Sequence, residues 1–446
     1  MLTKGQPSII VKPARARAWD TISTLSAHAR TVTIPTAQTD PASRMTALER
    51  RASFSLASVY AMRMLGLFMV LPVFALEARR YPGGEDAAAM GLALGVYGLV
   101  QALLQIPFGL AADRWGRKRV MLFGLALFAV GSLIAAGASD LHTLAWGRAM
   151  QGCGAISAAV SALLADQTRD VVRTKALALL GGSIGLMFAL SLVVGPWLSQ
   201  WAGLPGLFNL TAVMAVAGMA MVVWWTPPES PMPEGGVPRV PWAQLFSTDL
   251  LRLYVGVFVL YAVQFATWVS MPALLVQAGV LQADHGWVYL PTVLLSFVFM
   301  GMTLFPMERR GQLRPLFLAC IAGVMLVQLV LLWVSLGTAQ LWVLALLLFF
   351  FFCGFNVLEA SQPSLASRFA PRGGRGSALG VYNTLQSLGI FAGGAFGGWL
   401  AKGGGTPGLF LCCALLMGVW LAVAWAMVVP PPHASPAATP DPAQDA

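Results

Sequence analysis

The chain has 446 residues, of which 57% are apolar and only 10% charged. Soluble proteins carry about 25% charged residues, so this composition excludes a soluble enzyme, a disordered protein and a fibrous repeat. The excess of 28 Lys and Arg over 18 Asp and Glu, formally +10, would suggest nucleic acid in a soluble chain but reports loop placement in a membrane chain.

Twelve apolar windows are each long enough to cross a bilayer core about 30 Å thick. They run approximately 54–76, 89–111, 120–138, 142–165, 176–199, 206–226, 251–275, 286–306, 315–336, 340–366, 376–401 and 407–429. The longest break, TPPESPMPEGGVPRVPWAQLFSTDL, is rich in proline. It predicts a six-helix bundle over 51–226, a cytoplasmic linker over 227–250 and a second six-helix bundle over 251–429. Residues 1–50 form a basic N-terminal extension and residues 430–446 a Pro/Ala-rich tail, both expected to be disordered. No secretory apolar segment stands in the extension. MTALERRASFSL already supplies the basic flank of the first helix, so Met45 is an alternative expected start. Cys153, Cys320, Cys353, Cys412 and Cys413 lie in apolar runs without metal-ligand spacing and read as small buried hydrophobes.

Charge sets the expected orientation. With both termini in the cytoplasm, 23 Lys and Arg fall on the cytoplasmic side, and Arg79, Arg80 and Lys402 on the other. Arg63 and Arg148 lie inside helices. This is a strong positive-inside bias. The halves also repeat: a shift of 195 residues pairs Asp113 with Glu308, Arg114 with Arg309, Gly116 with Gly311 and Arg119 with Arg314. Internal repeats of this kind build secondary transporters around a midplane site.

GLAADRWGRKRVM, residues 109–121, resembles the loop signature G-x-L-A-D-R-x-G-R-K-x-x-L of the major facilitator superfamily. Ala111 and Met121 are apolar departures. Leu144, Arg148, Gln151 and Gly152 resemble a second signature in helix 4. Leu65-Gly66 and Pro72-Val73 resemble a pattern of proton-linked exporters in helix 1. The exporter signature of helix 5 is only half present, with Gly195-Pro196 kept and Ser191, Ser199 and Gln200 replacing its glycines. RMLGLFMVLPVF, VYLP, FNVLEASQPSL and GVYNTLQSLGIFAGGAFGGWL are similar to the YajR-type branch of bacterial inner-membrane transporters. That branch's best-known type carries a soluble C-terminal domain, which this chain is expected to lack. The resemblance implies an all-α polytopic membrane protein of twelve transmembrane helices in two pseudo-symmetric six-helix bundles, in the bacterial inner membrane with both termini cytoplasmic. It also implies that helices 1, 4, 7 and 10 line a central cavity.

Ionisable groups inside a membrane are costly and mark function by default. Three qualify here: Arg63, Arg148 and Glu359. Burial without a countercharge favours the protonated form of a carboxyl group, so Glu359 is a candidate proton site; a structural ion pair or helix-end anchor is the competing reading. Arg148 matches a family residue linked to proton coupling, against a purely structural link to carbonyls. Arg63 reads as a contact for an anionic substrate or as a tie between helices. Tyr261, Gln264, Asn356, Tyr382 and Gln386 are cavity candidates, each equally open to interhelical bonding. By resemblance, Gly109, Asp113, Arg114, Gly116, Arg117, Lys118 and Asp166 form a latch between the bundles, and Gly195 with Pro196 a hinge in helix 5. Glu77, at the outer end of helix 1, reads as a surface carboxylate paired with Arg79 or Arg80, and His28, His142, His285 and His433 lie outside the windows or, for His142, at the edge of one.

The sequence therefore predicts a secondary transporter working by alternating access, with proton-coupled export of a small amphiphilic or drug-like compound as the leading function. A facilitator or symporter of a small organic anion is the alternative, and a receptor or scaffold without transport a third. No enzyme chemistry, metal, bound cofactor or nucleic acid is implied, since neither a nucleophile–base pair nor a phosphate loop occurs. The expected partners are the lipid bilayer, a proton as coupling ion and a small-molecule substrate, with the chain a monomer.

Overall fold

A computed structural model describes residues 45–229, 241–371 and 375–427. The expected disorder of the N-terminal extension and tail, and most of the central linker, fall outside the described residues. Within them the protein is helical, without strands. The first helix, α1 (Ala47–Glu77), starts at a capping box in which Thr46 Oγ1 accepts from Glu49 N and the Glu49 carboxylate accepts from Thr46 N. Asp86 caps α2 (Ala87–Trp115) through Ala88 N, and Gly116 at φ +95° turns the chain directly into α3 (Arg117–Ala136). The remaining spans are α4 (Leu141–Gly152 and Ser157–Asp166), α5 (170–202), α6 (204–224), α7 (Thr248–Gln277), α8 (His285–Arg309), α9 (Leu313–Ser335), α10 (Leu341–Phe369), α11 (Arg375–Gly403) and α12 (Gly405–Trp425).

Among the described residues, ten helices are long and apolar enough to cross a membrane. Two of the twelve expected spans escape that test for physical reasons. One helix, Asp170–Trp224, is broken at Gly203, whose φ of 59° and ψ of −164° are non-helical, and it contains both α5 and α6. At 1.5 Å per residue its 55 residues would extend about 80 Å, far more than one bilayer. The other, α11, dilutes its hydropathy with glycine, asparagine and glutamine because it packs on protein along much of its length. The window 142–165 corresponds to one span, Leu141–Asp166, but its helix is not continuous: α4 is interrupted at residues 153–156. There α4 lies so close to α3 that a Cβ on Gly154 would stand 2.7 Å from the Gly124 carbonyl oxygen.

The repeat survives in three dimensions. Gly116 and Gly311 both adopt positive φ at the same turn of their halves. Arg117 pairs with Asp166 at the end of α4, while Glu308 pairs with Arg368 at the end of α10. The second half thus keeps the strap and exchanges its charges. Cations also meet carbonyls at the C-terminal ends of the last helix of each half: Lys118 Nζ donates to Thr226 O, just beyond α6, and Arg314 Nη2 to Trp425 O of α12, where the helix dipole favours positive charge.

The most internal spans are α1, α7, α10 and α4, with 89%, 78%, 61% and 56% of their apolar windows buried, against 28% for α8. These are the four helices expected to surround the centre. The two halves join along α2 and α11 on the face opposite the basic loops. A Cβ on Gly91 would sit 2.2 Å from Gly394 O, and one on Gly398 2.2 Å from Ala87 O. Such contact between backbones requires glycine and is how membrane helices gain packing energy without a hydrophobic drive. Towards the basic face the close contacts stop: a Cβ on Gly376 or Gly380 of α11, or on Gly181 or Gly182 of α5, would meet nothing within 4 Å.

Candidate functional site

Polar side chains from α1, α2, α3 and α4 meet in the first half. Arg63, midway along α1 and 1% exposed, donates from Nη2 to Tyr97 OH at 2.7 Å and to Gln101 Oε1 at 3.4 Å. Its Nε and Nη1 are buried without a partner. The guanidinium lies 5.5 Å from the Phe128 ring centre and 6.0 Å from that of Tyr97. Arg148, fully buried, stands 5.1 Å from the centre of the same Tyr97 ring. It donates to Gln151 Oε1 at 2.9 Å and to Leu94 O at 3.5 Å, and Gln151 Nε2 continues to Ser132 Oγ at 2.8 Å. Two cations therefore share one tyrosine, and every hydrogen-bond partner found for them is neutral.

The single interior carboxylate among the described residues belongs to the other half. Glu359 lies ten residues before the end of α10 at Phe369 and is half-buried. Tyr261 OH of α7 donates to its Oε1 at 2.7 Å, while Oε2 has no partner. Among the described residues it forms no ion pair. Its charge acts on Tyr60 of α1 and on Tyr261 and Tyr382. Tyr60 lies within electrostatic range of Arg63 as well.

An aromatic band joins these two poles. Phe188 of α5 packs on Phe68 at 5.2 Å, on Phe352 at 5.9 Å and on Phe355 at 6.3 Å; Phe355 in turn meets Tyr261 at 5.9 Å. The run 349–352 is split accordingly. Phe350 is exposed, whereas Phe352 packs between the halves.

Other candidates divide between the site and the scaffold. Gln386 comes close enough to the Tyr261 hydroxyl to act on it electrostatically, placing it near Glu359. Tyr382 is buried there with an unpartnered hydroxyl, and Gln264 is buried with an unpartnered Oε1. Asn356 turns instead to Ser296 of α8 at 2.8 Å. Gly195 serves close packing: its Cβ would stand 2.4 Å from Met69 O, while the non-helical residue of that long helix is Gly203, beyond Pro196.

At the basic face, Arg117 pairs with Asp166, donates to Ala162 O at 2.6 Å and approaches Asp113 at 3.9 Å. Asp113 and Arg114 are exposed, and Gly109 makes only ordinary contact with Ala158. The carboxylate at the N-terminus of α3 comes from Glu229, which accepts from Arg117 N at 3.2 Å and from Lys118 N. Gly116 leaves room for it, since a Cβ there would meet Glu229 Oε2 at 3.1 Å. Gln167 further ties Pro227 O at 2.9 Å. The start of the linker is thus part of the loop-signature assembly, a role that its Pro-rich composition hid.

The opposite face is closed by polar bonds between the halves. Lys402 pairs with Asp86 at 2.6 Å, and Gln282 Nε2 donates to Glu77 Oε1 at 2.9 Å. Lys402 and the Ala88 amide hold the Asp86 carboxyl below its usual range. Glu77 pairs with Arg80 at 3.1 Å, one of its two expected partners, but is buried at 4% exposure and not at the surface. His285 is likewise buried, as the first residue of α8 against Tyr289. Sequence reading missed Tyr60, Tyr97 and Gln101. The spacing of Tyr97, Gln101 and Gln105, one polar residue per turn of an apolar helix, was the available signal.

Residues 56–394 match the Major Facilitator Superfamily. The inner membrane transport protein YajR of Escherichia coli (strain K12) is 41% identical over 396 residues, covering 87% of this chain and 86% of the relative. The multidrug resistance protein MdtH of Yersinia enterocolitica is 28% identical over 359 residues, covering 77% and 85%. The crystal structure of a D-xylose-proton symporter shares the fold, with TM-score 0.67 at 15% identity over 85% of this chain and 98% of that one. The helix order, the two-half repeat and these similarities agree: the chain is a multi-pass transporter of the Major Facilitator Superfamily.

Proposed function

We propose that this transporter couples proton movement to export of a small amphiphilic compound by alternating access, with Glu359 as the proton site. The observation that carries the reading is the unpaired Glu359 carboxyl, which has a hydrogen bond from Tyr261 on one oxygen and none on the other. A carboxylate at membrane depth that lacks a cation is stabilised by taking up a proton. A cationic or polar substrate group competing for that carboxylate would exchange with the proton, which is antiport. Arg148 holds the first half's network together through Gln151 and Leu94 O, and Tyr261, Tyr382 and Gln386 set the carboxyl's surroundings. The multidrug resistance relative supports an amphiphilic cargo.

The basic loops are placed in the cytoplasm by the positive-inside bias. On that assignment the structure is closed outward by the α2–α11 contact and opens inward, where the halves diverge. The loop-signature residues Gly109, Asp113, Arg114, Gly116, Arg117, Lys118 and Asp166 would latch the bundles in the alternate state, and Gly195 with Pro196 would let α5 adjust. No bound cofactor is needed, since the coupling ion is the proton, and a monomer contains the whole pathway. Inverted membrane vesicles test the reading: addition of a substrate to energised vesicles should collapse the proton gradient, and Glu359→Gln should abolish that response while the protein still inserts. An unchanged response in the variant would remove Glu359 from coupling.

A further inference from the structure

Arg63 is a buried cation whose observed partners are both neutral. Tyr97 and Gln101 engage one terminal nitrogen, while Nε and Nη1 have none, although 99% of the residue surface is enclosed. The other acidic side chains described in the first half lie near helix ends, and those with recorded partners bind other groups: Glu49 with Arg169, Glu77 with Arg80 and Asp166 with Arg117. Holding a guanidinium in the bilayer interior on cation–π contact and two neutral acceptors is costly. Fixed acids at the same depth would have removed that cost. Glu359 presents the mirror situation in the second half, an interior anion without a cation.

Arg63 is sixteen residues from the start of α1 at Ala47, and Glu359 ten from the end of α10 at Phe369. Counted from the basic-face ends of their helices, the two positions differ by roughly 9 Å of helix, which we take as their depth offset. The Phe68–Phe188–Phe355 contacts link α1 to α10 through α5 and supply an apolar wall.

From this charge arrangement we propose that the substrate is a zwitterionic amphiphile, its carboxylate taken by Arg63 and its ammonium by Glu359. The proposal rests on the transport reading above and specifies its substrate class. The anion would replace Tyr97 and Gln101 on the guanidinium, a charge-assisted bond for neutral ones. The ammonium would displace the proton of Glu359, so that binding and proton release are one event. Both halves would then be bridged by one molecule.

The test uses purified full-length protein and the probes 4-aminobutyrate, 6-aminohexanoate and 8-aminooctanoate, each beside the alkanoate and alkylamine of the same length. Binding is read by calorimetry at neutral pH. The longer amino acids, whose charge separation approaches the depth offset, are expected to bind at least about tenfold tighter than either singly charged partner. Arg63→Gln should reduce the amino acid to the affinity of the alkylamine, and Glu359→Gln to that of the alkanoate. Arg63→Lys, which keeps the charge, should retain part of the preference. Equal binding of amino acid and alkylamine by the wild type would overturn the Arg63 assignment while leaving proton coupling at Glu359 standing. The wild-type comparison decides this even if a variant fails to fold. Binding of alkanoates alone, unaffected by Glu359→Gln, would overturn the zwitterion and favour a simple anion.

Discussion

Asp86 and Lys402 face each other across the two halves, their carboxylate oxygen and ammonium 2.6 Å apart at the end of the α2–α11 contact. Both side chains are partly exposed, so the pair is a weak clasp, fastened to the glycine contact beneath it. Asp86→Asn should loosen the outer end without unfolding the protein. Cysteines placed at the outer ends of α2 and α11 should then react faster with a membrane-impermeant thiol reagent. An unchanged labelling rate would show that the glycines alone hold this face.

The same pair fixes a pH expectation. Its acidic partner titrates below the ordinary carboxyl value of about 3.9, so its contribution is complete above that value and is lost only as pH falls through the depressed one. Labelling at this face, taken relative to a fully exposed reference cysteine so that the thiolate fraction cancels, should therefore be constant from about pH 5 to pH 8. A labelling step near neutrality would assign pH sensing to another group at this face.

Gly91 and Gly394 test the contact itself. Gly91→Ala places a methyl group where Gly394 O now lies, and one on Gly394 would stand 2.7 Å from the Gly95 backbone. Overpacking of this kind costs about 1–3 kcal/mol. The substitution should lower the thermal midpoint in detergent and shift the population away from the state in which α2 and α11 are in contact. Gly376→Ala, with open space at its Cβ, should do neither. Equal effects at both positions would contradict the divergence of the halves.

Glu229 gives a prediction at the opposite end. It supplies the negative charge at the N-terminus of α3, a position where a carboxylate contributes about 0.3–1 kcal/mol. Glu229→Gln should weaken the hold of residues 226–229 on the loop signature. Limited proteolysis in the central linker should become faster, with little change in the thermal midpoint. Proteolysis at the wild-type rate would mean that Lys118 and Gln167 suffice to hold this segment.

Most of the architecture was legible in sequence because each span declares itself by length and hydropathy, and each turn by charge. The loop signature and the repeat placed Gly116 and Gly311 at equivalent reversals, and both adopt positive φ. Two features were not legible. Glycine in a membrane helix marks close packing as often as a break, so the same residue type interrupts the long Asp170–Trp224 helix at Gly203 and only packs at Gly195. Partners distant in sequence were also hidden. Arg63 and Glu359 stood out alone as interior charges, but Tyr97, Gln101 and Tyr60 acquire meaning only when α1, α2 and α10 are brought together.

The central claim is that substrate and proton compete for Glu359. Its most direct test is proton release on binding, measured by calorimetry of the purified transporter near neutral pH in two buffers of different ionisation enthalpy, with a compound identified in the vesicle assay. The account predicts release of a proton by the wild type and none by Glu359→Gln, with binding retained. Equal proton release by both, or binding to the wild type without any proton release, would contradict it.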